Sequence, residues 1–208
     1  GDAATRAQKF VYGLIPDFGY SVNRDEVTVT GRFLGQKISD GITPSSATEI
    51  TLVPTDSTQW DIYVDTTSAN LGTTKLTRLL EFEYSSTGRY GPLWTVNSAN
   101  ASWVVPVDLP PDTEVRFLVE ADAEGMNLLG HLRGGTTLFV RAQAQGGTIE
   151  AGTIRYRFRH DMALKLNEPN PWGAEDGVYA IEYTGKVVYD STYTRAEQFE
   201  VINTQGSL

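Results

Sequence analysis

Along most of the chain, apolar and polar side chains change places residue by residue, the period that sends successive side chains to opposite faces of a strand. EVTVTGRF (26–33), TEITLV (48–53), QWDIYVDT (59–66), KLTRLLEFEYS (75–85), EVRFLVEA (114–121), TTLFVRAQA (136–144), IRYRFRHDMALKL (154–166), GVYAIEYTGKVVYD (177–190) and EQFEVIN (197–203) all read this way. They predict about nine strands. Between them, GQKISDGITPSS, DTTSANLG, SSTGRYGP, DLPPDT, AQGGTIEAG and NEPNPWGAED carry the Gly, Pro and Asp that chain reversal requires. The pattern predicts a mainly β fold, an antiparallel β-sandwich or partly open barrel.

The run at 177–190 is long. Tyr179, Ile181, Tyr183, Val187 and Tyr189 share one face, interrupted by Gly185, and the other face is mixed. Fully extended it would span roughly 46 Å, more than twice a usual strand. The expectation is that it bends into two strands or that part of it pairs outside its own domain.

One segment departs from the alternation. In DAEGMNLLGHLRGG, Asp122 can cap a helix, Glu124 lies where the dipole favours an acid, and Leu128, Leu129 and Leu132 form one stripe. Arg133 sits in the last turn and Gly134 can close it, which predicts a helix over 123–133. Gly125 and Gly130 each cost about 1 kcal/mol of helix propensity relative to Ala. Such a helix forms only by docking its leucines on a sheet.

The 208 residues show no linker or shift in composition, so a single domain is expected across 1–208, with an N-terminal arm at 1–12 and long loops at 34–46 and 166–177. With 17 Lys+Arg against 26 Asp+Glu, the formal charge of −9 argues against broad contact with nucleic-acid phosphates or an anionic membrane. No cysteine is present, which excludes disulfides, thiolate nucleophiles and cysteine zinc sites. No apolar run reaches the length of a membrane span, and the start GDAATRAQKF lacks the apolar core of a secretory signal, so a soluble chain is expected.

Candidate chemistry is sparse. His131 and His160 belong to no GxSxG, HExxH or Gly-rich phosphate motif and read as surface or core residues. Asp161 follows His160 on a strand and so points to the opposite face, which weakens a dyad. EADAEG (120–125) imitates the acids of a calcium loop, but His131 stands where the bidentate Glu belongs, and acids at a helix start are the simpler reading. NAS (100–102) matches a glycosylation acceptor by a pattern too short to carry weight. Glu81 and Glu83 share one face of a strand, roughly 7 Å apart, as a retaining glycosidase pair would be. A solvated acidic sheet face is the favoured alternative. Arg155, Arg157 and Arg159 form the one basic row of the sequence, opposite Ile154, Tyr156 and Phe158, and pairing with carboxylates within or between subunits is favoured over phosphate contact. Trp60, Trp94, Trp103 and Trp172 could stack sugars or simply pack. No enzymatic motif, cofactor site or metal site is read.

Three stretches together carry a resemblance: TTKLTRLLEFEYSSTGRYGPLWTVNSA (73–99), EVRFLVEADAEGMNLLGHLRGGTTLFVRA (114–142) and EPNPWGAEDGVYAIEYTGKVVYDSTYTRAEQFEVINT (168–204). The chain resembles the major tail tube proteins of long-tailed bacteriophages, especially those of actinobacterial hosts. The strand DGVYAIEYT, a V-x-D turn at Val188 and Asp190, and a closing strand ending near Asn203 are its most specific elements. The resemblance implies a sandwich with one flanking helix, assembled in the host cytoplasm as homo-oligomeric rings, commonly hexamers, that stack with other tail proteins into a virion tube. The inner sheets would close into a barrel on oligomerisation. Genomic DNA would pass through without specific binding, and no membrane is involved. With about four strands per protomer at about 4.8 Å spacing, a hexamer closes a bore of about 37 Å or more between backbones.

An acidic lumen would repel phosphates and keep DNA moving. Glu81 and Glu83 are the lumen-lining candidates, with Glu49 and Asp61 behind them. Trp172, which follows Pro169 and Pro171, supplies the subunit-interface candidates together with those prolines and the arginine row Arg155, Arg157 and Arg159, and Leu128, Leu129 and Leu132 supply the packing helix. A different class remains in view, a carbohydrate-binding or glycoside-cleaving jelly roll using Glu81, Glu83 and the tryptophans, and so does a phage neck or terminator ring that stops at one ring.

Overall fold

A computed structural model describes residues 8–11, 13–35, 37–40, 55–96, 103–150, 154–167, 169, 172–175 and 177–204. The predicted strand at 48–53, residues 1–7 and 12 of the arm, residues 41–46 of the first loop, the NAS stretch, Glu49 and Pro171 lie outside the described residues.

The described chain is mainly β. Its strands are β1 (Lys9–Val11), β2 (Leu14–Asn23), β3 (Val27–Leu34), β4 (Lys37–Ser39), β5 (Trp60–Asp65), β6 (Leu79–Thr87), β7 (Tyr90–Leu93) and β8 (Val105–Asp108). They continue with β9 (Asp112–Glu120), β10 (Thr137–Glu150), β11 (Ile154–Leu166), β12 (Gly173–Glu175), β13 (Val178–Val187) and β14 (Glu197–Ile202), and the one helix is α1 (Ala123–Arg133). The large sheet runs β3-β2-β6-β9-β13-β11-β10-β5, with β12 added to β13 and β14 to β11, and it does not close on itself among the described residues.

Chain contacts divide the protein into two compact units. The first comprises Gly1–Gly19, Val29–Leu52 and Ser85–Asp112. It holds two small antiparallel pairs, β1 with β4 and β7 with β8. Asp17 organises part of it by accepting from Gly88 N at 2.9 Å and pairing with Arg32 at 2.7 Å. Trp94 and Trp103 meet edge to face there, 5.9 Å between centroids.

The second unit comprises Tyr20–Thr28, Val53–Tyr84 and Thr113–Leu208, and it is a sandwich. Tyr20, Phe82, Tyr84, Phe117 and Tyr183 from β2, β6, β9 and β13 form one inner layer; Ile62, Ala142, Phe158, His160 and Met162 from β5, β10 and β11 form the other. Rings interlock across it, Tyr20 on Phe158 at 5.5 Å and Tyr84 on His160 at 4.5 Å, both near perpendicular. β9 shows the clean inside-outside alternation that its sequence predicts.

β13 resolves the question of the long strand. It pairs with β12 at its start, with β9 over Ala180–Gly185, and with β11 through Gly185–Val187, so one strand serves both sheets in succession. Gly185 stands at the change of partner, where a Cβ would lie 2.8 Å from the Lys165 carbonyl oxygen and 2.9 Å from Leu164 Cδ1. The apolar face expected there is corrected in part. Ile181 and Tyr183 are buried, but Tyr179 near the start of β13 is 76% exposed and Tyr189 beyond its end is 69% exposed, so the apolar row is buried only in its middle.

Other boundaries also shift. β6 starts at Leu79 rather than 75; residues 75–76 instead follow the edge of β5, where Leu76 N donates to Ile62 O at 2.8 Å. β10 runs on to Glu150 through part of an expected turn, with register shifts after Gln145 and Thr148. The expected loops at 34–46 and 166–177 contain β4 and β12.

The helix occupies the predicted residues. Asp122 caps it, accepting from Gly125 N at 2.9 Å. Leu128 is buried and Leu129 and Leu132 are half-buried, so the stripe docks mainly through Leu128. Gly125 permits the close approach: a Cβ there would lie 2.1 Å from the Glu120 carbonyl oxygen, and Tyr183 Oη donates to Gly125 O at 2.9 Å. Gly134 does not supply the left-handed turn. It stays helical at φ −77, and Gly135 takes φ +60.

Candidate functional site

The outward face of β6, β9 and β13 carries a charge cluster. Alternation turns Phe82 and Tyr84 inward and therefore Glu81 and Glu83 outward, as their spacing predicts. Arg116 on β9 stands among them, 2.7 Å from Glu81, 3.0 Å from Glu83 and 2.7 Å from Glu182 on β13. Partial burial works against the guanidinium charge, but Glu182, Glu83 and Glu81 outweigh it and push the Arg116 pKa upward. One arginine shared by three carboxylates leaves the cluster net negative. Sequence spacing finds Glu81 and Glu83; Arg116 and Glu182 come only from strand pairing.

The outward face of the other sheet has the opposite balance. Arg157 and Arg159 on β11 both pair with Glu200 on β14, and Arg155 lies exposed further along the row. Arg157 and Arg159 of the arginine row are thus engaged with carboxylates inside their own unit. Arg141 on β10 forks onto Asp161 through bonds of 2.7 and 2.9 Å. Asp61 is on this sheet too, paired with Lys75 and hydrogen-bonded by Tyr63 Oη at 3.3 Å, so it does not join Glu81 and Glu83. Asp65, buried at the end of β5, accepts from Gly72 N at 2.8 Å, Thr73 N at 3.2 Å, Thr73 Oγ1 at 2.8 Å and Thr74 N at 3.1 Å. Burial raises the Asp65 pKa, but these donors overcome that and hold it below the ordinary value.

Between the sheets lies a polar chain that the sequence does not announce. Tyr20 Oη lies 3.0 Å from His160 Nδ1, His160 Nε2 lies 3.3 Å from Glu197 Oε2, and Tyr84 Oη donates to the same oxygen at 2.7 Å. An ionised carboxylate only accepts, so Nε2 carries the imidazole proton and Nδ1 accepts from Tyr20. Burial lowers the His160 pKa against the pull of Glu197 and keeps the ring neutral. His160 is a core residue, as its lack of motif suggests. His160 and Asp161 do face opposite sides, one into the aromatic core and one onto Arg141.

A groove of about 720 Å³ opens at one end of the sandwich, lined among others by Trp60, Arg24, Lys75, Glu81 and Glu120. Glu83 and Trp172 do not line it. Trp60 also packs on Tyr20 at 5.5 Å and Phe158 at 5.4 Å, which ties it to the core. Glu81 and Glu83 both converge on Arg116, and of the two only Glu81 lines the groove. Trp172 is 55% exposed just before β12, and Pro169 is half-buried.

In comparison with known proteins, no protein-family model and no curated protein matches the chain. Among the described residues, no helix is long and apolar enough to cross a membrane.

Proposed function

We propose that this protein is a structural subunit whose copies form stacked rings, the tail tube of a long-tailed bacteriophage, through which DNA passes during infection. The observation that carries the reading is the open sandwich and the exposed apolar positions of its last strand. Among the described residues the sheet partner of β14 is β11, and its Phe199 and Val201 are 42% and 62% exposed. An edge of that kind invites another chain, and ring formation satisfies it.

The net negative face around Glu81, Glu83 and Glu182 is the one assigned to the bore, where it repels phosphates. Asp61 lies on the other sheet and is not part of that assignment. Exposed Trp172 is an apolar anchor for the contact between copies.

Electron microscopy of the concentrated protein beside its sedimentation profile tests the reading. Stacked rings with a central channel are expected, and a monomer under every condition counts against them. A single ring that never stacks favours a neck or terminator subunit. Trp172→Ala is expected to leave the monomer folded by circular dichroism but to impair tubes, and normal tubes remove Trp172 from the interface. Tubes built from Glu81→Lys, Glu83→Lys subunits are expected to slow DNA ejection; unchanged ejection and infectivity exclude that face from the bore.

A further inference from the structure

We infer that the β7–β8 ribbon is an interlocking arm whose two faces are covered by further copies of this chain. From Tyr90 to Val107 the sequence holds no Asp, Glu, Lys or Arg, the longest such run in a chain that is 21% charged. The ribbon is apolar on both sides. Its register pairs Gly91 with Val107 and Leu93 with Val105 on one face, and Tyr90 with Asp108 and Pro92 with Pro106 on the other. Leu93 and Val105 are 43% and 44% exposed, Tyr90 and Pro106 are exposed on the opposite face, and Trp94, Val96 and Val104 are exposed at the far end.

Such a ribbon has no core of its own. Among the described residues β7 and β8 pair only with each other, and Trp103 is the one large apolar side chain buried in the first unit. A two-stranded ribbon is marginal in water unless one of its faces is covered. Leu93, Trp94, Val96, Val104, Val105 and Leu109 leave on the order of 600 Å² open to solvent, at about 150–250 Å² for a large ring and less for an aliphatic group. That approaches the roughly 800 Å² each partner brings to a stable interface.

The contact runs through the faces and not the edges. Leu109 N donates to Arg89 O at 2.9 Å, and alternation from that bond turns the amide positions of residues 92 and 106 toward the two outer edges. Both are prolines, so neither edge offers a donor there to an added strand. Charge selects the occupant. The formal −9 of the chain arises wholly outside this run, so copies approach one another against net repulsion, least where this run faces the partner. The ion pair at the base of the ribbon, Arg89 with Asp108 at 3.1 Å, gives a second copy one charge of each sign to match.

The inference rests on the association of copies proposed above, but not on rings or a tube. Sedimentation equilibrium of the full chain reads it. The unaltered protein is expected to self-associate as concentration rises. Leu93→Asp, Leu93→Lys and Tyr90→Lys, each folded by circular dichroism, are expected to weaken that association by about tenfold or more. The two Leu93 variants separate burial from net charge: a Lys that strengthens association overturns the inference, as does an unchanged constant in either the Leu93 or the Tyr90 variants. Leu93→Ser adds no charge and stands in where a charged variant does not fold; it is expected to weaken association several-fold. Unaltered protein that stays monomeric at every concentration also overturns the inference, and its binding to phosphatidylcholine vesicles would then assign the ribbon to a bilayer. Electron microscopy keeps the two readings apart. Normal tubes from Leu93→Asp keep the tube and remove the ribbon from its contacts. Small oligomers that never form rings, and that Leu93→Asp dissociates, keep the ribbon and remove the tube.

Discussion

Two sets of carboxylates in the same unit show how position decides what a charge does. Asp161 and Asp65 are almost fully buried, and each meets donors fixed by the fold: the fork of Arg141 in one case, the backbone and hydroxyl of residues 72–74 in the other. Glu81, Glu83 and Glu182 are partly exposed and compete for one guanidinium. The buried acids hold the architecture together, since removing either leaves a desolvated partner without compensation. The exposed acids set the sign of a surface and contribute little to stability individually. The molecule thus keeps its structural charges apart from the charges it presents.

The comparison breaks most visibly if a buried acid proves dispensable. Asp161→Asn leaves the Arg141 guanidinium, only 20% exposed, without its counter-charge, and is expected to lower the unfolding free energy by about 3 kcal/mol. Urea denaturation measures this, and a loss under about 1 kcal/mol would mean that Arg141 is adequately hydrated after all. Asp65→Asn comes next, at about 2 kcal/mol, because three backbone donors and a hydroxyl lose an ionised acceptor. Its effect depends on pH. The carboxyl has a lower pKa folded than unfolded, so its contribution is complete above the unfolded value near 3.8 and fades as pH falls through the folded value. Unaltered protein and Asp65→Asn should therefore differ at neutral pH and converge in acid, and a constant gap would show that the amide fails for steric reasons instead.

How much of this was legible beforehand follows from the range of each interaction. The helix, its Asp122 cap and the outward pairing of Glu81 with Glu83 were read correctly because they are local: a cap reaches three residues and a strand repeats every two. No strand is read over β2, whose Pro16, Asp17 and Gly19 are residue types uncommon within strands, although Pro16, Tyr20 and Val22 alternate inward. Gly19 is buried in that strand, where turn chemistry is not in play. β7 lies largely within SSTGRYGP, which reads as a reversal, and β8 lies in a stretch for which neither strand nor turn is read apart from its last residue, Asp108. The partners that give the charged groups their roles were not legible at all. Arg116 reaches Glu83 across 33 residues and Glu182 across 66, and Tyr84 reaches Glu197 across 113, distances that only the sheet order closes.

The smallest predicted effect is the one that sharpens the comparison. Glu83→Gln removes one of three carboxylates around Arg116. The guanidinium loses one attraction, while Glu81 and Glu182, which remain, lose the repulsion of a third negative charge. Both changes are screened in this partly exposed setting, where the Glu83 side chain is 45% exposed. The two nearly cancel, and the unfolding free energy is expected to move by no more than about 0.5 kcal/mol. A loss of 2 kcal/mol or more, on the order of the Asp65 effect, would make Glu83 a structural carboxylate and put the cluster on the same side of the comparison as Asp65. A change within the predicted range, together with altered passage of DNA through the tubes proposed above, would separate what this face does for the fold from its proposed role in a conduit.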